Sequence, residues 1–221
     1  MLESLLSKFI ALFVIVIAIA LHEFGHAAMA TKLGDPTPRL QGRLTLNPAA
    51  HFDPIGFLFI MFTVFVGFGI GWGKPVQTNP LYYDNTRNGI ILTALAGPAM
   101  NACLAMFGIG STYILFLSGV ELVPLAHTFI LLWVIINIGL IAFNMLPIPP
   151  LDGGHLLQQL APRFMEPVVR FLQTFGMLIV LGMVFLGLTG PIIGAVFGAV
   201  IWMIQAAFGR EFVGYLFQGL G

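Results

Sequence analysis

The chain has 221 residues, 58% of them hydrophobic and only 8% charged. Soluble domains carry about 25% charged residues, so this composition excludes a soluble globular protein and points to a polytopic membrane protein with the bilayer as its solvent. Nine basic and nine acidic residues cancel, no basic tract marks a nucleic-acid surface, and the single cysteine, Cys103, rules out an intrachain disulfide framework.

Residues 5–33 form the first apolar run, longer than the ~20 residues that cross a hydrocarbon core. Gly34-Asp35-Pro36 stops it. The run contains acidic Glu3 just upstream and a polar motif within, so it is expected to be mature protein and not a signal peptide. The motif is His22-Glu23-Phe24-Gly25-His26. Residues four apart lie above one another on a helix, so His22 and His26 share a face. Two neutral imidazoles at that spacing suit Zn²⁺, and Glu23 between them is placed as a general base. Ionisable groups inside a span are costly and mark function.

Residues 37–54 read as polar and irregular, with Arg39–Leu46 as a short strand or hairpin arm. Residues 55–71 are apolar but glycine-interrupted, and Gly73-Lys74-Pro75-Val76 breaks them. The stretch 76–79 reads either as an edge strand able to bind an extended peptide by strand addition or as a plain polar loop. Residues 89–118 form the next span, interrupted by Gly97-Pro98-Ala99-Met100-Asn101, and 125–146 the one after. The stretch from Asn144 to Gly154 carries Pro147, Pro149 and Pro150, which bar a regular helix. Residues 156–170 are mixed; 171–188 and 191–208 are two final spans.

Asp152 is the best third ligand: an isolated carboxylate on a backbone bent by prolines and freed by Gly153 and Gly154. The alternative is a helix cap for 154–160, which does not exclude ligation. If Asp152 meets the histidines, an even number of crossings separates the two sites. One of the three intervening runs must then not cross, and 55–71 is the shortest. The positive-inside rule agrees: with 55–71 re-entrant, basic residues split 8 to 1 between the faces, against 6 to 3 if all runs cross. The expected architecture is all-α, with about five transmembrane helices plus a re-entrant or β-hairpin element at about 39–79. The N-terminus is expected outside, and the C-terminus and the active site on the cytoplasmic side of the cell membrane.

HEFGH in a first span, GPAMN in a later one and NMLPIPPLDGG afterwards resemble the site-2 protease family of intramembrane zinc metalloproteases. The three motifs come in that family's order and cover residues 22–154. The resemblance implies one Zn²⁺ held by His22, His26 and Asp152, Glu23 as catalytic base, and a core of residues 5–33, 89–118 and 125–154. It implies a transmembrane protein or peptide substrate within a lipid bilayer, and no nucleic acid. The chain has no room for the PDZ or CBS domains of many members, so one compact membrane-embedded domain over 1–221 is expected. The pattern HFDPIG followed by GWGKPV is shared with similar compact bacterial and archaeal proteins.

Asn144 is placed to hold a substrate carbonyl or an oxyanion, or to satisfy broken local backbone. Asn101 stands where the family often has a polar residue near the metal, and its small neighbours suit close helix packing. His51 and His155 are read as loop or interfacial residues, His127 as interfacial, and Cys103 as a small packing residue. Two other function classes fit part of the pattern: a cation transporter and a catalytically silent membrane scaffold. Glu23→Gln separates these, since a protease keeps its metal and loses cleavage whereas a transporter need not lose flux.

Overall fold

The computed structural model describes residues 2–67, 69 and 71–218. Among these residues there are nine α-helices and no strand. Five helices are long and apolar enough to cross a membrane, and the chain is an all-α multi-pass membrane protein. Helix α1 spans Leu2–Lys32, α2 Thr37–Leu40, α3 Pro54–Val66, α4 Thr86–Leu117 and α5 Pro124–Asn144. Helix α6 spans Asp152–Leu160, α7 Glu166–Phe185, α8 Thr189–Phe208 and α9 Arg210–Leu216.

Helices α1, α4 and α5 form the central bundle. Helix α1 ends where Gly34 turns left-handed, with φ of 100°, a conformation that favours glycine. Helix α4 carries Pro98 in its interior. At the α1–α4 contact, a Cβ built on Gly25 would lie 2.6 Å from the Ala96 carbonyl oxygen. Only glycine lets the two backbones approach this closely.

The hairpin alternative for 39–79 is not realised. Arg39 and Leu40 end the short helix α2, and the run from residue 54 is the 13-residue helix α3. At 1.5 Å per residue that is about 20 Å, short of the ~30 Å hydrocarbon core. Asp53 caps it by accepting from Ile55 N and Gly56 N, Pro54 takes the first position, and left-handed Gly67 ends it. Residues 68 and 70 of the expected 55–71 run lie outside the described residues. The chain then doubles back along its own helix. Cβ atoms on Gly71 and Gly56 would meet Ile60 and Trp72 respectively, and Phe59 stacks on Trp72. The far tip of α3 reaches the start of α1, where Lys8 donates to the Phe65 carbonyl and Phe9 packs edge-on against Phe65. The return segment ends near Asp35, which accepts from Asn79 N. The element therefore enters and leaves by one end of the bundle, and it is re-entrant.

The stretch 76–79 is extended but pairs with no strand. Lys74, Val76 and Asn79 donate their N–H groups to the His51 carbonyl, Glu23 and Asp35, and Pro75 and Pro80 have none to give. The N–H groups of Val76 and Asn79 are thus taken up by side chains of the molecule itself.

Helix α6 ends beside the start of α4, where Arg87 Nε donates to the Gln159 carbonyl. The middle of α7 sits on the site-end turn: Gly176 lies against Ile148 and Pro149. Helix α8 packs Val196, Phe197 and Val200 on Ala105, Val134 and Ile138, and Ile204 on Ile109 and Ile130 further along. Helix α9 then docks at the opposite end of the bundle. Phe212 packs against Tyr113 and Phe116, Tyr215 Oη donates to the Val120 carbonyl, and His127 Nε2 donates to the Tyr215 carbonyl. The C-terminal helix therefore sits beside the 118–123 loop. Nothing in the periodicity of seven residues announces this docking; Phe212 and Leu216 are buried by long-range contacts.

Gly25→Val is expected to lower the thermal unfolding midpoint in detergent, since overpacking the α1–α4 contact costs about 1–3 kcal/mol. Circular dichroism of the purified variant measures it.

Candidate metal centre

Helix α1 presents His22 and His26 one turn apart, and α6 brings Asp152 to them. His22 Nε2 lies 3.2 Å from Asp152 Oδ2, His26 Nε2 lies 3.3 Å from Asp152 Oδ1, and the two Nε2 atoms are 3.1 Å apart. Ligands about 2.0–2.1 Å from a tetrahedral Zn²⁺ stand ~3.3–3.4 Å from one another. The three residues form a group able to hold a metal ion, with ligand atoms within 4.8 Å of one another.

Hydrogen bonding on the far side of each ring assigns the protons. His26 Nδ1 faces the Thr93 carbonyl at 2.7 Å. A carbonyl only accepts, so Nδ1 carries the proton. His22 Nδ1 faces Asn101 Oδ1 at 2.6 Å. The Asn101 amide cannot be turned round, because its Nδ2 donates to the Ala18 carbonyl at 3.3 Å and to Asn137 Oδ1 at 2.8 Å. Asn137 Nδ2 in turn donates to the Trp133 carbonyl at 2.8 Å. In neutral imidazoles both Nε2 atoms are then lone pairs, aimed at each other and at a carboxylate. Such a set repels itself unless a cation stands between the atoms. Asp152 Oδ2 is buried with no hydrogen-bond partner, the condition of a carboxylate oxygen awaiting a metal. The donor set of two imidazoles and one carboxylate leaves a fourth position open, the arrangement of a catalytic zinc site.

Asp152 is the first residue of α6, and that helix start has no side-chain cap, so the capping alternative is not used. Gly153 and Gly154 let the helix start beneath the preceding turn: Cβ atoms there would strike the Leu146 carbonyl oxygen and the Pro149 backbone. The Gly97-Pro98-Ala99-Met100-Asn101 motif has two local roles. A Cβ on Gly97 would lie 2.6 Å from His26 Cε1 and 2.7 Å from His22 Cε1, so this position leaves room for the rings. Asn101, fully buried, orients His22 from one turn further along.

Glu23 stands outside the ligand group. Its Oε2 accepts from Val76 N at 2.9 Å. Asn144 Nδ2 donates to the Leu140 carbonyl at 2.9 Å, within its own helix. His51 is fully buried and donates from Nε2 to the Thr45 carbonyl, leaving Nδ1 without a partner. His155 is exposed, and Cys103 is exposed on α4 and does not act as packing. Asn137, Thr93 and Tyr83, whose hydroxyl bonds Thr93 Oγ1, escaped sequence reasoning. Asn137 carried a signal, as an amide in the middle of an apolar span; Thr93 and Tyr83 carried none.

Replacing Asn101 by Leu is expected to weaken zinc binding about 10- to 100-fold through loss of the His22 partner. Gly97→Ala is expected to abolish it by forcing the rings apart. Chelator competition on the purified variants, with zinc read by atomic absorption, tests both.

The profile of Peptidase family M50 matches residues 120–187, the part of the chain that contains Asp152. The chain is 33% identical over 171 residues to a Bacillus subtilis protein named "Putative zinc metalloprotease YwhC", an alignment covering 76% of each chain. It is 32% identical over 195 residues to "Putative zinc metalloprotease Rip2" of Mycobacterium tuberculosis, covering 86% of this chain and 70% of the relative. A Rip2 protein of Mycolicibacterium smegmatis is 31% identical over 164 residues, covering 68% of this chain and 59% of the relative. No solved structure shows a significant match. With a zinc-type donor set on a bundle of apolar helices, these similarities place the chain in peptidase family M50, the site-2 protease family of zinc metalloproteases.

Proposed function

We propose that the protein hydrolyses peptide bonds of membrane-spanning substrates, with His22, His26 and Asp152 as zinc ligands and Glu23 as general base. The observation that carries this reading is the convergence of two fixed Nε2 lone pairs and an unpartnered buried carboxylate oxygen, contributed by α1 and α6, with a second carboxylate, Glu23, next to His22 in the chain but outside the set.

A zinc ion in this site supplies Lewis acidity, polarising the scissile carbonyl and lowering the pKa of water towards ~7. Glu23 takes the proton of the attacking water and returns it to the leaving nitrogen. Its Oε2 accepts one hydrogen bond from Val76 N–H, and the carboxylate keeps further lone pairs to take the proton. Asn101, Asn137 and Thr93 hold the imidazoles in the tautomer that leaves Nε2 free. Asn144 stands at the end of α5, and reaching a substrate oxygen requires it to release the Leu140 carbonyl. The whole of residues 1–221 serves as one membrane-embedded domain built on α1, α4 and α5.

The site end of the bundle faces the cytoplasm in this reading, because most of the basic residues lie towards that end. The N-terminus and α9 then lie on the outer side. With Cys103 replaced by Ala, a cysteine at Gln41 is expected to label from the cytoplasmic side only, and cysteines at Val120 and Glu211 from the outside only. Labelling of Glu211→Cys from the Gln41 side overturns this topology.

The activity is tested with Glu23→Gln, reconstituted beside single-span reporter proteins. Zinc content is expected to stay at one ion per chain while cleavage falls by at least about 100-fold. Chelation is expected to stop the wild type, and added zinc to restore it. A Glu23→Gln protein that cleaves like wild type refutes the assignment, and a metal-loaded wild type that cleaves none of the reporters refutes the protease reading.

A further inference from the structure

We propose that the main-chain N–H of Val76, anchored by Arg43, positions the Glu23 carboxylate for proton transfer. The inference rests on the reading of Glu23 as general base. Val76 and Arg43 are positioning residues; neither touches the metal ligands.

A glutamate on a helix has three side-chain torsions, and fixing it costs up to about 2 kcal/mol of rotamer entropy. A general base must nevertheless hold one orientation relative to its proton. The partner that the structure gives Glu23 is the 2.9 Å hydrogen bond from Val76 N to Oε2. Its value depends on how firmly Val76 is held.

The segment around Val76 is tied down on both sides. Lys74 N donates to the His51 carbonyl at 2.8 Å, and Asn79 N donates to Asp35 Oδ2 at 2.6 Å. The Arg43 guanidinium bridges two separate segments, donating from Nη1 to the Ala50 carbonyl and from Nη2 to the Lys74 carbonyl. Arg43 is only 4% exposed, a costly placement for a charge. Burial lowers its pKa, and the Glu23 carboxylate acts in the opposite direction. The guanidinium thus fastens the strap at Lys74, two residues before the amide that reaches Glu23, and adds a favourable field at the same carboxylate.

Two further features point the same way. A Cβ on Gly73 would lie 2.6 Å from Ile19 Cγ2 and 3.7 Å from Glu23 Cγ, so the strap passes against α1 where only glycine fits. Pro75 has no N–H and restricts its own φ, which leaves Val76 as the donor that follows. The pattern HFDPIG followed by GWGKPV thereby gains a structural role. Arg43, the His51 and Ala50 carbonyls, and Gly73 together fix one amide against one carboxylate.

The test uses the full chain in detergent, with zinc content and kinetics measured on a single-span reporter that the wild type cleaves. Val76→Pro removes the donor, and Val76→Ala keeps it. We expect Val76→Pro to lower kcat about 10- to 100-fold, the scale of a mispositioned catalytic group, with zinc content and KM unchanged. Val76→Ala should stay within about threefold of wild type in kcat. Arg43→Gln should lower kcat alone, Arg43→Lys should restore part of it, and Arg43→Gln added to Val76→Pro should bring no further loss. The proposal is overturned if Val76→Pro keeps wild-type kcat while Glu23→Gln is inactive, or if the two losses multiply. Should Val76→Pro fail to retain zinc, the contrast between Arg43→Gln and Arg43→Lys decides the question: equal kcat in the two overturns it. A Glu23→Gln protein that remains active removes the underlying reading instead.

Discussion

Two imidazole lone pairs and a carboxylate face one another within about one hydrogen-bond length, and almost everything else in the molecule serves to hold them there. Left alone, the arrangement is repulsive. It survives because each group is fixed from behind: Asn101 and the Thr93 carbonyl bind the Nδ1 protons of the histidines, and the start of α6 holds Asp152. In hydrocarbon no water is available to relieve an unpaired polar group, so each anchor needs an anchor of its own. Asn101 is held by Asn137 and Ala18, Asn137 by the Trp133 carbonyl, and Thr93 by Tyr83. The polarity of this chain is set at its ends by backbone carbonyls, which can only accept. The result is a directed relay from α5 through α4 to a ring on α1, ending in a lone pair. A cation in the centre turns the mutual repulsion of the donors into binding energy.

Such a relay needs helices that touch. Gly25 against Ala96 and Gly97 against both imidazoles let α1 and α4 come close enough for a short amide to reach a histidine. The same requirement recurs where Gly153 and Gly154 lie under the proline-rich turn. Small residues here do not supply flexibility. They set distances, and a single methyl at Gly97 would occupy the space of the rings.

The three motifs were legible because each obeys a short-range rule. The i, i+4 spacing of His22 and His26 places both rings on one face whatever the rest of the chain does, and an isolated carboxylate after prolines and before paired glycines stands out in an apolar sequence. Parity identified the run that fails to cross, and the structure shows it doubling back. What stayed hidden depends on contacts distant in sequence. The run from Pro54 has no clear period, so apolarity alone did not distinguish helix from hairpin. Asp53 followed by Pro54 is nonetheless a capping signature, and gives the helix once read. Helix α9 is too short to show a face, and its docking on Tyr113 and Phe116 rests on contacts distant in sequence. The roles of Asn137, Thr93 and Tyr83 follow from partners 10 to 67 residues away.

The re-entrant element shows how one constraint produces another. A chain that turns back inside the bundle exposes N–H groups that no helix satisfies, and in a bilayer these need acceptors from the protein itself. The acceptors available along the return path are the His51 carbonyl, Glu23 and Asp35. Two of these are carboxylates on or just beyond α1, which would themselves be costly in an apolar setting without donors. The strap and the end of α1 therefore satisfy each other, and Arg43 balances the charge they bring together. Glu23 belongs to this exchange and to the reacting site at once. The polar group that lets an irregular segment lie within the bundle is the same group that, in the proposed chemistry, accepts a proton beside the metal, so the fold of the strap and the readiness of the base cannot vary independently.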